Sequence, residues 1–134
     1  MRPATREDLP AISAVQAASP EASQWEPSSY LDHHCTVMVV DGVVAGFVVS
    51  RETGPGEREI LNLAVDPAQR RRGVARRLLK VELSRKEIHW FLEVRESNVA
   101  ARGFYESLGF RAVGRRQNYY DGPPEGAIVM RFFS

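Results

Sequence analysis

The stretch Leu61-Asn62-Leu63-Ala64-Val65-Asp66-Pro67, followed after two residues by Arg70-Arg71-Arg72-Gly73-Val74-Ala75-Arg76, decides the fold. Its apolar first half predicts a strand from about Arg58 to Val65, ended by Asp66-Pro67. Beyond Gly73, the residues Val74, Leu78, Leu79 and Leu83 recur at helical spacing and predict a helix to about Ser84, with these four on its buried side. A helix N-terminus carries unpaired backbone N–H groups and partial positive charge. Gly73 and the small Ala75 let the backbone approach a bulky anion there, and Arg70, Arg71 and Arg72 add full charges. That combination suits a pyrophosphate. An ordinary strand-to-helix turn with a solvated basic run fits equally well, because one glycine is a weak motif. No Gly-x-Gly-x-x-Gly follows a strand and no Gly-Lys-Ser or Gly-Lys-Thr occurs, so neither a dinucleotide-binding fingerprint nor a Walker P-loop is met.

Upstream, the β-branched runs Thr36–Val40 and Val43–Ser50 flank Asp41-Gly42, the signature of a hairpin with a type I′ turn. A polar loop, Arg51 to Glu57, leads on to the strand already described. Asp8-Leu9-Pro10 reads as an N-cap followed by proline in a first helical turn, with Leu9, Ile12 and Val15 as the apolar stripe of a helix reaching about Ala18. Pro20 to Ser29 is a loop anchored by Trp25, and a short helical segment covers Ser29 to His33. Downstream, Ile88 to Val94 is a strand, and Asn98 opens a helix that stops at Gly109. Strands from about Phe110 to Arg116 and Ala127 to Phe133 flank the loop Asp121-Gly122-Pro123-Pro124, with Tyr119-Tyr120 between the strands. The order predicts an α+β domain: a mixed, mostly antiparallel sheet with a βαβ crossover, flanked by helices.

Length and composition bound the function. With 134 residues, 43% hydrophobic, the chain suits a single domain over residues 1–134. A net charge of +1 disfavours a basic nucleic-acid binder, and the Arg70–Arg72 run lacks interleaved aromatics. The single cysteine, Cys35, sits in an apolar run and reads as a small core residue; it excludes an intramolecular disulfide and any cysteine-based zinc cluster. His33-His34 have no spaced carboxylate or cysteine nearby and read as surface residues, so no metal site is expected. No stretch approaches the roughly 20 apolar residues needed to span a bilayer. The polar, acid-bearing start is neither signal nor transit peptide, and a cytoplasmic location is expected.

Arg70-x-x-Gly73-x-Ala75 resembles the Gln/Arg-x-x-Gly-x-Gly/Ala signature by which acetyltransferases of the GNAT superfamily hold the pyrophosphate of acetyl-CoA. Leu92-Glu93-Val94-Arg95, Ser97-Asn98, Phe104-Tyr105-Glu106-Ser107-Leu108-Gly109-Phe110 and Asn118-Tyr119-Tyr120 are similar to the branch that acetylates the N-terminal alanine of ribosomal proteins. Ala75 replaces the usual second glycine, and Lys80 to His89 is shorter than that branch usually has. The resemblance implies the GNAT acyl-CoA N-acyltransferase fold and acetyl-CoA as co-substrate. It implies cofactor contacts along Leu63-Ala64-Val65 and from Arg70 through Val74 to Arg76, with Asn98 touching the cofactor arm as well as capping its helix.

Acetyl transfer from a thioester to an amine needs a base for the amine, a donor for the oxyanion and an acid for the departing thiolate. Glu93 follows Trp90-Phe91-Leu92 in an apolar strand, where a carboxylate is costly. It is either a base or a strand-end residue reaching solvent or pairing with Arg95, and the resemblance assigns it as the general base. Tyr105, a phenol with a pKa near ~10, can protonate a thiolate. Phe104 and Leu108 flank it on an amphipathic helix, which favours a core tyrosine, and the resemblance instead assigns it as the general acid. The oxyanion donor would be a backbone N–H on Leu63–Val65. For the acceptor the resemblance implies a protein N-terminus, such as the N-terminal alanine of a small-subunit ribosomal protein. By position, Tyr119 and Tyr120 with Trp25 opposite either wall a peptide slot or pin loops onto the core. Acetylation of lysine side chains or small amines stays open, as does a non-catalytic acetyl-CoA-binding module. Neither nucleic acid nor membrane is expected as a partner.

Overall fold

The computed structural model describes residues 1–19, 24–70, 72–120 and 125–133, with only the backbone for 118–120. Seven strands are present: β1 (Arg2–Pro3), β2 (His34–Val40), β3 (Val43–Gly54), β4 (Glu57–Val65), β5 (His89–Arg95), β6 (Phe110–Tyr120) and β7 (Glu125–Phe132). The helices are α1 (Leu9–Ala17), α2 (Val74–Leu83) and α3 (Val99–Leu108). The strands follow the order β1-β2-β3-β4-β5-β7-β6 in one mixed sheet. The pairs β1–β2, β2–β3, β5–β7 and β7–β6 are antiparallel. The connection from β4 to its neighbour β5 runs through α2, which is the expected crossover. The chain divides into two compact units, Met1–Arg51 with Ile60–Lys86, and Glu52–Glu59 with Glu87–Ser134.

In the first unit the β2–β3 turn has positive φ at both Asp41 (52°) and Gly42 (78°), the type I′ geometry that Asp-Gly favours. Ile12 and Val15 of α1 pack with Tyr30, Val37, Phe47, Val49, Leu61 and Ala64. Cys35 lies in the same core, 6% exposed, and burial pushes its thiol up to about 12, so it is an inert packing residue. A polar network is buried beside this core. Tyr30 donates to Gln16 Oε1 (2.5 Å), Asn62 Nδ2 lies within 3.2 Å of the same oxygen, and Gln16 Nε2 donates to the Trp25 carbonyl (2.6 Å). These bonds fasten α1 and the short 3-10 segment Pro27–Asp32 to β4.

Several expectations are corrected. Trp25 is 43% exposed and is held by its backbone carbonyl, while the fully buried Tyr30 is the aromatic anchor. Asp8 stands at the head of α1 without capping it. Its carboxylate instead receives the Thr5 N–H (2.8 Å) and the Arg2 guanidinium (2.7 Å), which hold its pKa far below the carboxylate range. On α2, Leu83 is only half-buried. The buried residue of that turn is Glu82, whose Oε1 lies 3.1 Å from His34 Nε2, a carboxylate partner for His34 that sequence spacing gave no hint of.

In the second unit the loop expected over Arg51–Glu57 shrinks to a tight turn, because β3 continues to Gly54 and β4 begins at Glu57. Gly56 turns it with φ 69°, and its carbonyl accepts from His89 N (2.8 Å). Asn98 caps α3 by accepting from Ala101 N (3.2 Å), and Gly109 ends the helix in the left-handed region with φ 110°. Phe110 follows at 1% exposure and packs on Phe132, the ring centroids 5.5 Å apart. β6 runs through Tyr119 and Tyr120 rather than stopping near Arg116, so both tyrosines lie in the strand; their side chains, and the loop 121–124, are outside the described residues.

Gly46, inside the β-branched run of β3, shows why that run carries a glycine. A Cβ there would stand 2.9 Å from the Ala64 carbonyl and 3.1 Å from Val74 Cγ1, where β3 meets both β4 and the first residue of α2. Gly46→Ala should lower stability by about 1–3 kcal/mol, the usual cost of overpacking. Urea denaturation checks this, and an unchanged midpoint would mean that β4 and α2 yield freely.

Candidate active site

The turn between β4 and α2 has a left-handed glycine at its head and arginines on either side. Gly73 takes φ 72° and ψ 20° at the head of the ten-residue α2. A Cβ there would meet nothing within 4 Å, so the demand for glycine is conformational and the space before the helix is open. Val74 is buried and Ala75 half-buried, which seats the first turn, while Arg72 and Arg76 are exposed beside it. The Arg72 carbonyl accepts from the Arg77 guanidinium (3.1 Å). Arg70 reaches Ser19 Oγ (3.3 Å), whose hydroxyl lies 3.3 Å from the Val65 carbonyl, so Arg70 also ties the turn to the end of β4. Arg71 lies outside the described residues. A helix N-terminus, an open approach and flanking guanidiniums together fit a pyrophosphate.

Along β4, Ala64 is buried while Leu63 and Val65 are half-buried. The Leu63 N–H is donated to Asn62 Oδ1 (3.0 Å), and Asn62 is itself held in the Gln16–Tyr30 network. The strand beside the cradle is therefore positioned by buried polar bonds that the sequence reading missed. Two isolated amides and a tyrosine, far apart in the chain, give no local signal of such a network.

The second unit holds the ionisable candidates. Glu93 sits in mid-strand on β5, its side chain 10% exposed. It pairs with Arg116 of β6, Nη1 to Oε1 at 2.7 Å, and not with Arg95, which is bonded to Glu125 (3.0 Å). Glu93 Oε2 is buried with no hydrogen-bond partner among the described residues. Such an oxygen is costly to keep unless something binds it. Tyr105 lies on α3 with its ring edge-on to Phe104 and Phe110, at centroid distances of 5.4 and 5.6 Å. Desolvation raises the phenol's pKa above its ordinary value, so it is protonated at neutral pH. Among the described residues no group of three or more His, Cys, Asp or Glu is placed to hold a metal. No helix there is long and apolar enough to cross a membrane.

Residues 4–110 match the model of the Acetyltransferase (GNAT) family. A curated relative, the [ribosomal protein bS18]-alanine N-acetyltransferase of Haemophilus ducreyi, is 38% identical over 84 residues; the match spans 58% of this chain and 58% of that relative's length. Among solved structures, the ribosomal-protein-S18-alanine N-acetyltransferase of Escherichia coli superposes with a TM-score of 0.81 at 31% identity, over 97% of this chain and 90% of that one. A putative streptothricin acetyltransferase of Bacillus anthracis, solved in complex with acetyl coenzyme A, gives 0.67 at 27% identity, over 76% and 62%. Fold, cradle and sequence agree: the chain belongs to the GNAT family of acetyltransferases.

Proposed function

We propose that the chain transfers the acetyl group of acetyl-CoA to the N-terminal α-amino group of a protein, with an N-terminal alanine of a small-subunit ribosomal protein as the leading acceptor. The observation that carries the acetyl-CoA reading is the left-handed Gly73 turn opening α2 between Arg72 and Arg76. The acceptor rests on the relatives named for bS18 or S18 alanine acetylation. Residues 1–134 act as one catalytic domain in this reading.

Acetyl-CoA supplies an activated thioester, and the chain's residues supply position and proton transfer. The first turn of α2, with Arg70, Arg72 and Arg76, holds the pyrophosphate; Arg71, Leu63, Ala64, Val65 and Asn98 are assigned to the same cofactor by the family pattern. Glu93 accepts the proton that the attacking amine must lose, through the carboxylate oxygen that has no partner among the described residues. Tyr105 delivers the proton that the departing sulfur needs, and a raised pKa keeps that proton available. A backbone N–H of β4 faces the oxyanion in this reading. Since the Leu63 N–H is already donated to Asn62, Ala64 and Val65 are the candidates. Tyr119, Tyr120 and the exposed Trp25 are the candidate walls of the peptide slot.

The test is acetyl transfer to N-terminal peptides, lysine peptides and small amines, with mass-spectrometric localisation of the acetyl group. Modification of α-amino groups alone supports the proposal. Modification confined to lysine Nζ or a small amine replaces the acceptor, and cofactor binding without any transfer would make the chain an acetyl-CoA-binding module. For the cradle, Gly73→Asp should weaken acetyl-CoA binding by about tenfold or more. It adds the ~1–2 kcal/mol strain of a side chain at positive φ and a negative charge facing the phosphates. Gly73→Asn has the same shape and a similar tolerance of the left-handed region but no charge, so the difference between the two variants isolates the charge: calorimetry should find it closer to wild type than Gly73→Asp. Equal affinity in all three proteins would move the phosphate elsewhere.

A further inference from the structure

We propose that Arg116 is a positioning residue for Glu93, fixing one carboxylate oxygen so that the other faces the incoming amine. The inference rests on the reading of Glu93 as the base and adds a residue that reading does not contain.

The geometry comes from the register of three strands. Glu93 on β5 stands opposite Val129 on β7, and Val129 stands opposite Gly114 on β6. Opposed residues share a sheet face, so Glu93, Val129 and Gly114 form one row. The register of β6 shifts between Ala112 and Gly114, a bulge at Val113. An unbroken ladder from Ala112 opposite Met130 would have put Val113 opposite Val129 and turned Arg116 to the other face. The bulge replaces a branched side chain by a glycine in the row of Glu93 and re-aims Arg116 onto that face, a use for which bulges are known. Arg116 stands opposite Ala127, whose methyl lets a guanidinium pass over β7 to Glu93. Neighbouring cations are engaged elsewhere, Arg115 with Glu96 (2.5 Å) and Arg95 with Glu125 (3.0 Å).

The consequence is an asymmetric carboxylate. Oε1 receives Arg116 Nη1 at 2.7 Å, while Oε2 is buried with no partner among the described residues. Free rotation would present either oxygen to substrate in many orientations. A fixed Oε1 presents Oε2 alone, and misplacing a reacting group by about 1 Å can cost on the order of 10²-fold. The Arg116 side chain is 56% exposed against 10% for that of Glu93, so the pair itself adds little to stability. Its effect falls on kcat.

The test uses a peptide with a free N-terminal alanine, acetyl-CoA, and Arg116→Met, which keeps the aliphatic stem without the charge. The kcat should fall about 10- to 100-fold while the KM for acetyl-CoA and the melting temperature stay near wild type. Arg116→Lys, with a single ammonium on a shorter arm, should recover part of the loss; it also remains usable if the Met variant folds poorly. In a Glu93→Gln background the Met substitution should have no further effect, because its action runs through the carboxylate. Wild-type kcat in Arg116→Met, alongside a low kcat in Glu93→Gln, overturns the positioning role and leaves the base assignment intact. An undiminished loss in the Glu93→Gln background also overturns it, since Arg116 would then act on substrate or fold directly. Wild-type kcat in Glu93→Gln itself removes base and positioning residue together.

Discussion

Glu93→Gln should lower kcat by roughly 10²–10⁴-fold, the usual worth of general acid–base catalysis, and leave acetyl-CoA affinity unchanged. Glutamine keeps the shape and can still accept the Arg116 hydrogen bond through its carbonyl oxygen, so β5 and its neighbours should fold as before. What disappears is the capacity to take a proton on the oxygen that has no partner among the described residues. Because an α-amino group titrates near pH ~8, more acceptor arrives deprotonated as pH rises, and the deficit of the variant should narrow on the alkaline side. Steady-state rates from neutral to alkaline pH, with calorimetric affinity for acetyl-CoA, check the prediction. A kcat equal to wild type would leave a positioned water or the substrate itself as the base.

Tyr105→Phe should cost roughly 10²-fold or more in kcat with little change in melting temperature. The ring contacts with Phe104 and Phe110 survive the substitution, so packing is kept and only the hydroxyl is lost. Desolvation raises the pKa of this phenol, which makes it a weak but constantly protonated acid. An acyl donor with a more acidic thiol needs less help in leaving, so the defect of the variant should shrink with such a donor. If Tyr105 is a core residue only, phenylalanine should be nearly silent with every donor. Rates with two donors of different thiol acidity, together with melting curves, separate these outcomes.

Local patterns were legible from the chain alone because their causes are local. Asp41-Gly42 dictates its turn since few residue pairs accept two positive φ angles in succession. Asn98 and Gly109 bound α3 because capping and left-handed termination are properties of single residues. The Gly73 turn was legible for the same reason, and with the flanking arginines it points to an anion through local chemistry alone. Boundaries went astray where tertiary pairing extended an element past its composition. β3 and β4 continue into the polar stretch Arg51–Glu57, and β6 runs on to Tyr120, because partner strands supply the hydrogen bonds that local propensity did not promise.

The sequence by itself determined the strand–turn–helix around Gly73, the order of elements and the residue types able to carry protons. All of these depend on neighbours a few positions apart. Tertiary structure alone decided which partner each of those residues has. Glu93 is paired by Arg116 rather than by nearby Arg95, because one bulge at Val113 sets the face on which Arg116 emerges, and the choice between faces has no trace in composition. Glu82 and not Leu83 is the buried residue in the last turn of α2, because His34 of a distant strand meets it there. Trp25 gave way to Tyr30 as the anchor of its segment because only Tyr30 can place a hydroxyl on Gln16 and Asn62 while filling the core. A side chain's partner is a long-range property: it is fixed by register and packing, which the chain acquires only once strands remote in sequence lie side by side.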